Sequence, residues 1–188
     1  MPPTEPLRDP QAIRALSHPL RLRLIEVLGT REQATATECA RATGESVASC
    51  SFHLRQLEKY GFVVRGEQAG REKPWRLVSY RQSVDASVLD DDGRRAALGF
   101  EHAFVDWEAG RIRDRLARPA PEGWEGTQTS SGSTTWMTRD ELEQLNHDLG
   151  ELLLRYVGRL DDPSTRPEGG RFVRVYAATT ILPDDDAP

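Results

Sequence analysis

The stretch Ser46-Val-Ala-Ser-Cys-Ser-Phe-His-Leu-Arg-Gln-Leu-Glu-Lys-Tyr-Gly-Phe-Val63 decides the fold, because two periodicities meet inside it. Val47, Cys50, Leu54 and Leu57 recur at three- and four-residue spacing on one side of a helix. A serine stands ready to cap its start, and Gly61 can adopt the left-handed conformation that stops it. From Phe62 the spacing becomes that of strands: Phe62-Val-Val-Arg-Gly-Glu, a turn at Ala69-Gly70, then Lys73-Pro-Trp-Arg-Leu-Val78. A helix that runs straight into a basic hairpin must bury its apolar side against other helices.

Those helices lie upstream. Asp9-Pro10 pairs a cap residue with the proline tolerated at a first helical position, and Ser17-His18-Pro19 ends that helix. Pro19 opens a second helix, in which Leu20, Leu24, Val27 and Leu28 repeat at helical spacing until Gly29. Thr35-Ala-Thr-Glu38 is a capping box that opens a third, over about residues 36–42, and Gly44 supplies the turn into the fourth. Three helices, a fourth across a glycine turn and a hairpin bearing Arg65, Arg71, Lys73 and Arg76 spell a winged helix-turn-helix over residues 9–81. Residues 1–8 are Pro-rich and expected to be disordered.

Beyond it, residues 82–92 read as a linker ending in acid at a helix start. A C-terminal dimerisation or effector domain is expected over 93–182, with an acidic tail at 183–188. Its first helix, about 93–117, carries Phe100, Phe104 and Trp107 as a stripe that must pack on the rear domain or on a partner chain. A weak strand is expected over 127–135. Thr138-Arg-Asp-Glu141 then opens a long dimerising helix whose buried face is Leu142, Leu145, Leu149, Leu152, Tyr156 and Leu160. A second strand is expected at Phe172-Val-Arg-Val-Tyr176 with Ile181-Leu182. The fold class is therefore mostly α with a β-wing, α+β, followed by a small α/β domain. Phe104, Trp107, Trp124, Trp136 and Tyr156 are candidates to line an effector pocket there, against the simpler reading that they are its core.

Charge divides the same way. Residues 8–81 hold thirteen Lys and Arg against eight Asp and Glu, whereas residues 82–188 hold twelve against twenty-one. A basic front on an acidic rear suits a DNA-binding module joined to something that must not bind DNA. No apolar run approaches the roughly 20 residues that span a bilayer, and Met1-Pro-Pro-Thr-Glu lacks the basic start and apolar core of a secretory leader, so a cytoplasmic protein without a membrane partner is expected. Phosphate loops, zinc-protease and serine-hydrolase motifs and His/Cys constellations are missing from the rear half, so no catalytic residue, cofactor or metal is assigned and an enzyme is not expected.

On the fourth helix, the side opposite the apolar one receives Ala48, Ser49, Phe52, Arg55, Gln56 and Lys59, with Ser51 beside them. An exposed phenylalanine is costly unless it meets something apolar, and in a major groove the thymine methyl is available. Ser49 can bond a base or a phosphate, Arg55 can take a guanine bidentately, and Lys59 lies far enough along for the backbone. His53 falls at the edge of the core and is expected to be packed and hydrogen-bonded. The wing cations Arg65, Arg71, Lys73 and Arg76 suit phosphates or a minor groove.

Leu16-Ser-His-Pro-Leu-Arg-Leu-Arg-Leu-Ile25, Thr35-Ala-Thr-Glu-Cys-Ala40 and Ser51-Phe-His-Leu-Arg-Gln-Leu-Glu-Lys-Tyr-Gly-Phe-Val63 together resemble the ArsR-type winged-helix repressors over residues 9–78. The resemblance implies a homodimer that blocks transcription on a two-fold symmetric operator in double-stranded DNA and releases it on a signal. The metal-sensing members carry a Cys-x-Cys on the third helix or Asp/His pairs on a dimerising helix. Here the third helix offers only Cys39, a poor site for a soft metal. Cys39 and Cys50 sit at apolar positions and are expected to be buried and inert, so control is expected through the rear half, by a non-metal ligand or a protein. The rival expectation is a DNA-anchored protein-interaction module without small-molecule sensing.

Overall fold

The computed structural model describes residues 6–67, 72–79, 84 and 88–182. It forms two compact units, Met1–Arg118 and Pro119–Pro188. The first unit is built from five helices, α1 (Pro10–Leu16), α2 (Pro19–Arg31), α3 (Ala36–Thr43), α4 (Val47–Lys59) and α5 (Asp91–Leu116), with β1 (Gln33–Ala34), β2 (Val63–Arg65) and β3 (Trp75–Leu77). Its fold is the α+β winged helix-turn-helix.

Local chemistry sets most of the boundaries. The Asp9 carboxylate accepts from Gln11 N at 2.9 Å and starts α1 at Pro10. At α3 the Thr35 hydroxyl accepts from Glu38 N at 3.2 Å, and Thr35 N donates to the Glu38 carboxylate at 2.8 Å. That amide, and the Thr35 hydroxyl, which also donates to the carboxylate at 3.0 Å, hold the Glu38 carboxyl below its usual range. Gly44 (φ 74°) stops α3, and Gly61 (φ 76°) turns the chain from α4 into the wing. Gly29, expected to end α2, is buried inside it, and the helix runs on to Arg31. The stop is Glu32, a non-glycine residue at φ 65°, because the chain must double back at once into β1.

That short β1 was not expected from periodicity, since two residues carry no pattern. It pairs with β3, Ala34 opposite Trp75, while β2 pairs with the other edge of β3 through Val63–Leu77 and Arg65–Trp75. The order β1-β3-β2 thus seats Trp75 in the middle of the sheet. Leu16, Leu24, Leu28, Cys39, Cys50, Leu54, Leu57, Val63 and Trp75 form one core beneath the sheet and between the helices.

The expected boundary after residue 81 shifts. Instead of opening the rear domain, α5 packs on α1 and touches α2. Ile13, Leu89 and Ala96 form a second cluster, joined by Leu7, Val84 and Phe100. Leu7 bridges to Val84, so the part of the expected disordered arm that is described, residues 6–8, includes an anchored residue. Phe100, Phe104 and Trp107 run along α5 with ring centroids 5.7 and 5.8 Å apart, and Phe100 reaches the front core. Arg14–Asp92, at 2.5 Å, and Arg111–Glu26 clamp α5 to α1 and α2. Phe100 packs on the front clusters because Leu89 and Ala96 bring the helix down on Ile13.

The second unit holds α6 (Arg139–Leu154) and α7 (Gly158–Asp161). The second capping box forms as expected, Thr138 N donating to Glu141 at 2.7 Å. The strands expected over 127–135 and at 172–176 and 181–182 are not formed. A strand needs a neighbour for its N–H and C=O groups, and among the described residues of this unit no segment pairs with either stretch. The α6 stripe is likewise not a core: Leu142, Leu145 and Leu149 are half-buried, whereas Leu152 and Tyr156 are exposed. Residues 1–5, the Ala69-Gly70 turn and residues 183–188 lie outside the described residues.

Candidate nucleic-acid interface

The outer face of α4 is prepared from beneath. Cys50, Leu54 and Leu57 are fully buried and fix the helix against α2 and α3. Val47, expected with them, is 46% exposed, because it sits in the first turn, just past the Ser46 cap. Ser46 accepts from Ser49 N at 3.0 Å, which leaves the Ser49 side chain half-exposed at the helix start. Ala48 is exposed beside it.

Phe52 stands 54% exposed on this face. Its ring meets His53 edge-on at 5.1 Å. Arg55 is folded back along its own helix, donating from Nε to the Ser51 carbonyl and from Nη2 to the Ser51 hydroxyl, each at 3.2 Å. Gln56 is half-buried and Lys59 exposed, with Nζ 5.1 Å from the Tyr60 ring. The face therefore offers small residues, one apolar ring, a guanidinium held in reserve and a terminal cation, all on one helix.

The wing differs from its sequence reading at Arg65. Its guanidinium lies over the Trp75 ring at 3.5 Å, donates to the Lys73 carbonyl at 3.4 Å and approaches Glu58 at 3.9 Å. Arg65 is thus engaged in holding the hairpin together, a role set by its position opposite Trp75 in the ladder. Lys73 and Arg76 are exposed, and Arg76 points away from the core face that Trp75 and Leu77 occupy. Thr37 ties the wing to α3 through Glu72 at 3.1 Å. Arg71 lies outside the described residues.

Sequence reasoning missed what stands behind Phe52. His18 caps α2, its Nδ1 accepting from Leu20 N at 3.1 Å, and its ring lies 4.3 Å from that of His53. Arg21 donates from Nε to His53 Nδ1 at 3.3 Å and from Nη1 to the Ala15 carbonyl at 2.7 Å. The only sequence signal was His53 at the core edge; a partner 35 residues upstream left no periodic trace.

Both cysteines are fully buried. Burial, with Cys50 adjacent, pushes the Cys39 thiol up to about 12, so it stays protonated and unreactive. The effector-pocket candidates divide: Phe104 and Trp107 belong to the first unit, Trp124, Trp136 and Tyr156 to the second. Trp136 is 81% exposed and Tyr156 is also exposed, so neither is held in a wall.

Residues 16–65 match a family model described as a helix-turn-helix domain. The match runs from the end of α1 through β2, and so takes in α4 and the first wing strand. This chain carries a helix-turn-helix domain. No curated protein matches the chain. Among the described residues no helix is long and apolar enough to cross a membrane.

Proposed function

We propose that this protein is a sequence-specific DNA-binding regulator of transcription, acting as a homodimeric repressor of the ArsR type, with α4 as its recognition helix. The observation that carries the reading is Phe52, a large apolar ring held out on the outer face of a helix whose opposite face is fully buried. A duplex major groove offers that ring a thymine methyl and offers Arg55 a guanine edge. Lys73 and Arg76 on the wing neutralise phosphates, and lysine or arginine contacts of that kind make binding salt-dependent. Selecting bound duplexes from a random pool, with the mass of the complex measured, tests the whole reading. A two-fold symmetric site bound by two chains is expected; failure to enrich any sequence would sink it.

Support for the dimer comes from α5. Leu98, His102, Val105, Ala109, Ile112 and Leu116 follow one another at four-three-four-three-four spacing, along the side opposite the one that packs on α1. Leu98 is 53% exposed and Leu116 71%, with Val105 and Ile112 also exposed. Glu101 and Asp106 flank this stripe in its first half, Arg113 and Arg115 in its second. A second copy laid antiparallel sets acid opposite guanidinium; a parallel one sets like against like. The antiparallel pair also makes a two-fold axis, as an operator of two half-sites requires.

Arg55→Ala is expected to cost about 1–3 kcal/mol of operator affinity and to relax preference at one base position. Uniform loss over all sequences would instead make Arg55 a phosphate contact. Phe52→Ser is expected to weaken the selected duplex more than random DNA, both measured by fluorescence anisotropy at one salt concentration. Equal losses would remove Phe52 from the readers.

The exposed Leu152, Leu153 and Leu154 at the end of α6 favour a second reading of the rear unit, as a protein-interaction module that the front unit anchors to DNA. Recovery of one stoichiometric partner by the full chain, lost on Leu149→Lys with Leu152→Lys, would select it over ligand sensing.

A further inference from the structure

The histidine pair behind Phe52 has a property that follows from its hydrogen bonds alone. The donors on the two Nδ1 atoms are a backbone amide, Leu20 N, and a guanidinium, Arg21 Nε, and neither can accept. Each Nδ1 therefore carries a lone pair, and each ring is neutral with its proton on Nε2. An imidazolium donates from both nitrogens. Protonating His18 breaks the cap of α2, and protonating His53 breaks the bond that ties α4 to α2 through Arg21.

The charged surroundings act in the same direction. Arg21 on α2 opposes a positive charge on either histidine, His18 opposes one on His53 as well, and Glu45, in the turn before α4, favours the charge on both but less strongly. Tyr60, at the end of α4, acts on Arg21. Burial is the largest cause, and with Arg21 it holds both imidazoles below their usual range. The sign follows. Because the folded rings bind protons less readily than unfolded ones, their contribution is fully present above about pH 6.5 and is lost as the pH falls.

The pair also touches the reading surface. His53 presents its ring edge-to-face with Phe52, 5.1 Å away, and is itself backed by His18 at 4.3 Å. Resting on the assignment of α4 as the recognition helix, we propose that His53, backed by His18, is a positioning residue for Phe52, and that proton uptake by the pair releases α4 from Arg21 and lowers sequence-specific DNA affinity. Non-specific affinity, set by phosphate contacts, does not need the ring in place and gains from added positive charge.

The test compares the duplex enriched from a random pool with a scrambled duplex of equal length, from pH 7.5 to 5.0 at constant ionic strength. One linked proton changes an equilibrium at most tenfold per pH unit. For the native chain the ratio of specific to scrambled affinity is expected to fall roughly threefold to tenfold over that range. In H18N/H53N the asparagine side-chain oxygens replace both Nδ1 acceptors and cannot titrate, so the ratio is expected to stay level. Circular dichroism melts at each pH establish that both chains remain folded, and His102 and His147 persist in the variant as internal controls. A native ratio independent of pH, or the same fall in the variant, would overturn the proposal while leaving DNA recognition intact. Failure of the native chain to prefer any duplex at pH 7.5 would overturn the recognition reading on which it rests.

Discussion

Replacing Val105 and Ile112 together with aspartate is expected to yield a folded monomer whose affinity for the two-fold symmetric duplex is about 10²–10⁴-fold below that of the native protein. Both side chains are exposed on α5, on the side away from Ile13, Leu89 and Ala96, so their loss removes little from the core of the first unit. Surface changes of this kind cost a domain within about 0.5 kcal/mol. What they remove is the apolar seam. Two aspartates per chain, brought against two more, would have to be buried unpaired, which no antiparallel register tolerates. Each half-site would then be bound alone, without the high local concentration that a joined pair confers. Light scattering gives the mass and titration on full and half duplexes gives the affinities. If the native chain is already monomeric, or if the variant still elutes as a dimer, α5 is not the joining surface.

The helix-turn-helix was legible because its boundaries are written in single residues whose chemistry is local. Thr35 with Glu38, Gly44 and Gly61 each act within four positions of themselves. The outer face of α4 was legible for the same reason: its buried side is set by Cys50, Leu54 and Leu57, and the remainder must look outward. Interactions across sequence left no such mark. Arg65 looked like any wing cation until the ladder placed it over Trp75, and the two histidines share no period. The rear unit was misread for a related reason. Alternation in Phe172-Val-Arg-Val-Tyr176 describes what a strand would bury, but a strand also needs a neighbour, and periodicity carries no information about one. Phe100, Phe104 and Trp107 were expected to pack on the rear domain or a partner chain, whereas Phe100 joins the front clusters. Which surface receives Phe100 depends on Leu89 and Ala96 meeting Ile13 of α1, and that is a tertiary fact.

Trp75→Ala is expected to destabilise the first unit by about 3–5 kcal/mol, the range for truncating a buried large aromatic. Trp75 is 1% exposed at the centre of the three-stranded sheet, paired with Ala34 on one side and Arg65 on the other. Its removal opens a cavity between sheet and helices, and it also strands Arg65, whose guanidinium loses the ring beneath it. Domains hold roughly 5–15 kcal/mol in total, so a loss of this size brings the unit close to unfolding, and the wing goes first because β2 and β3 are three residues each. Thermal melts are expected to shift down by more than about 10 °C, with Trp75→Phe recovering much of the loss because a ring still fills the site. The same stack decides what Arg65 does. If it serves the hairpin, Arg65→Gln lowers the melting temperature and leaves the salt dependence of DNA binding unchanged, while Arg76→Gln reduces that salt slope by about 1 and leaves the melt in place. The reverse pattern would return Arg65 to the phosphate backbone, where its charge alone would have put it.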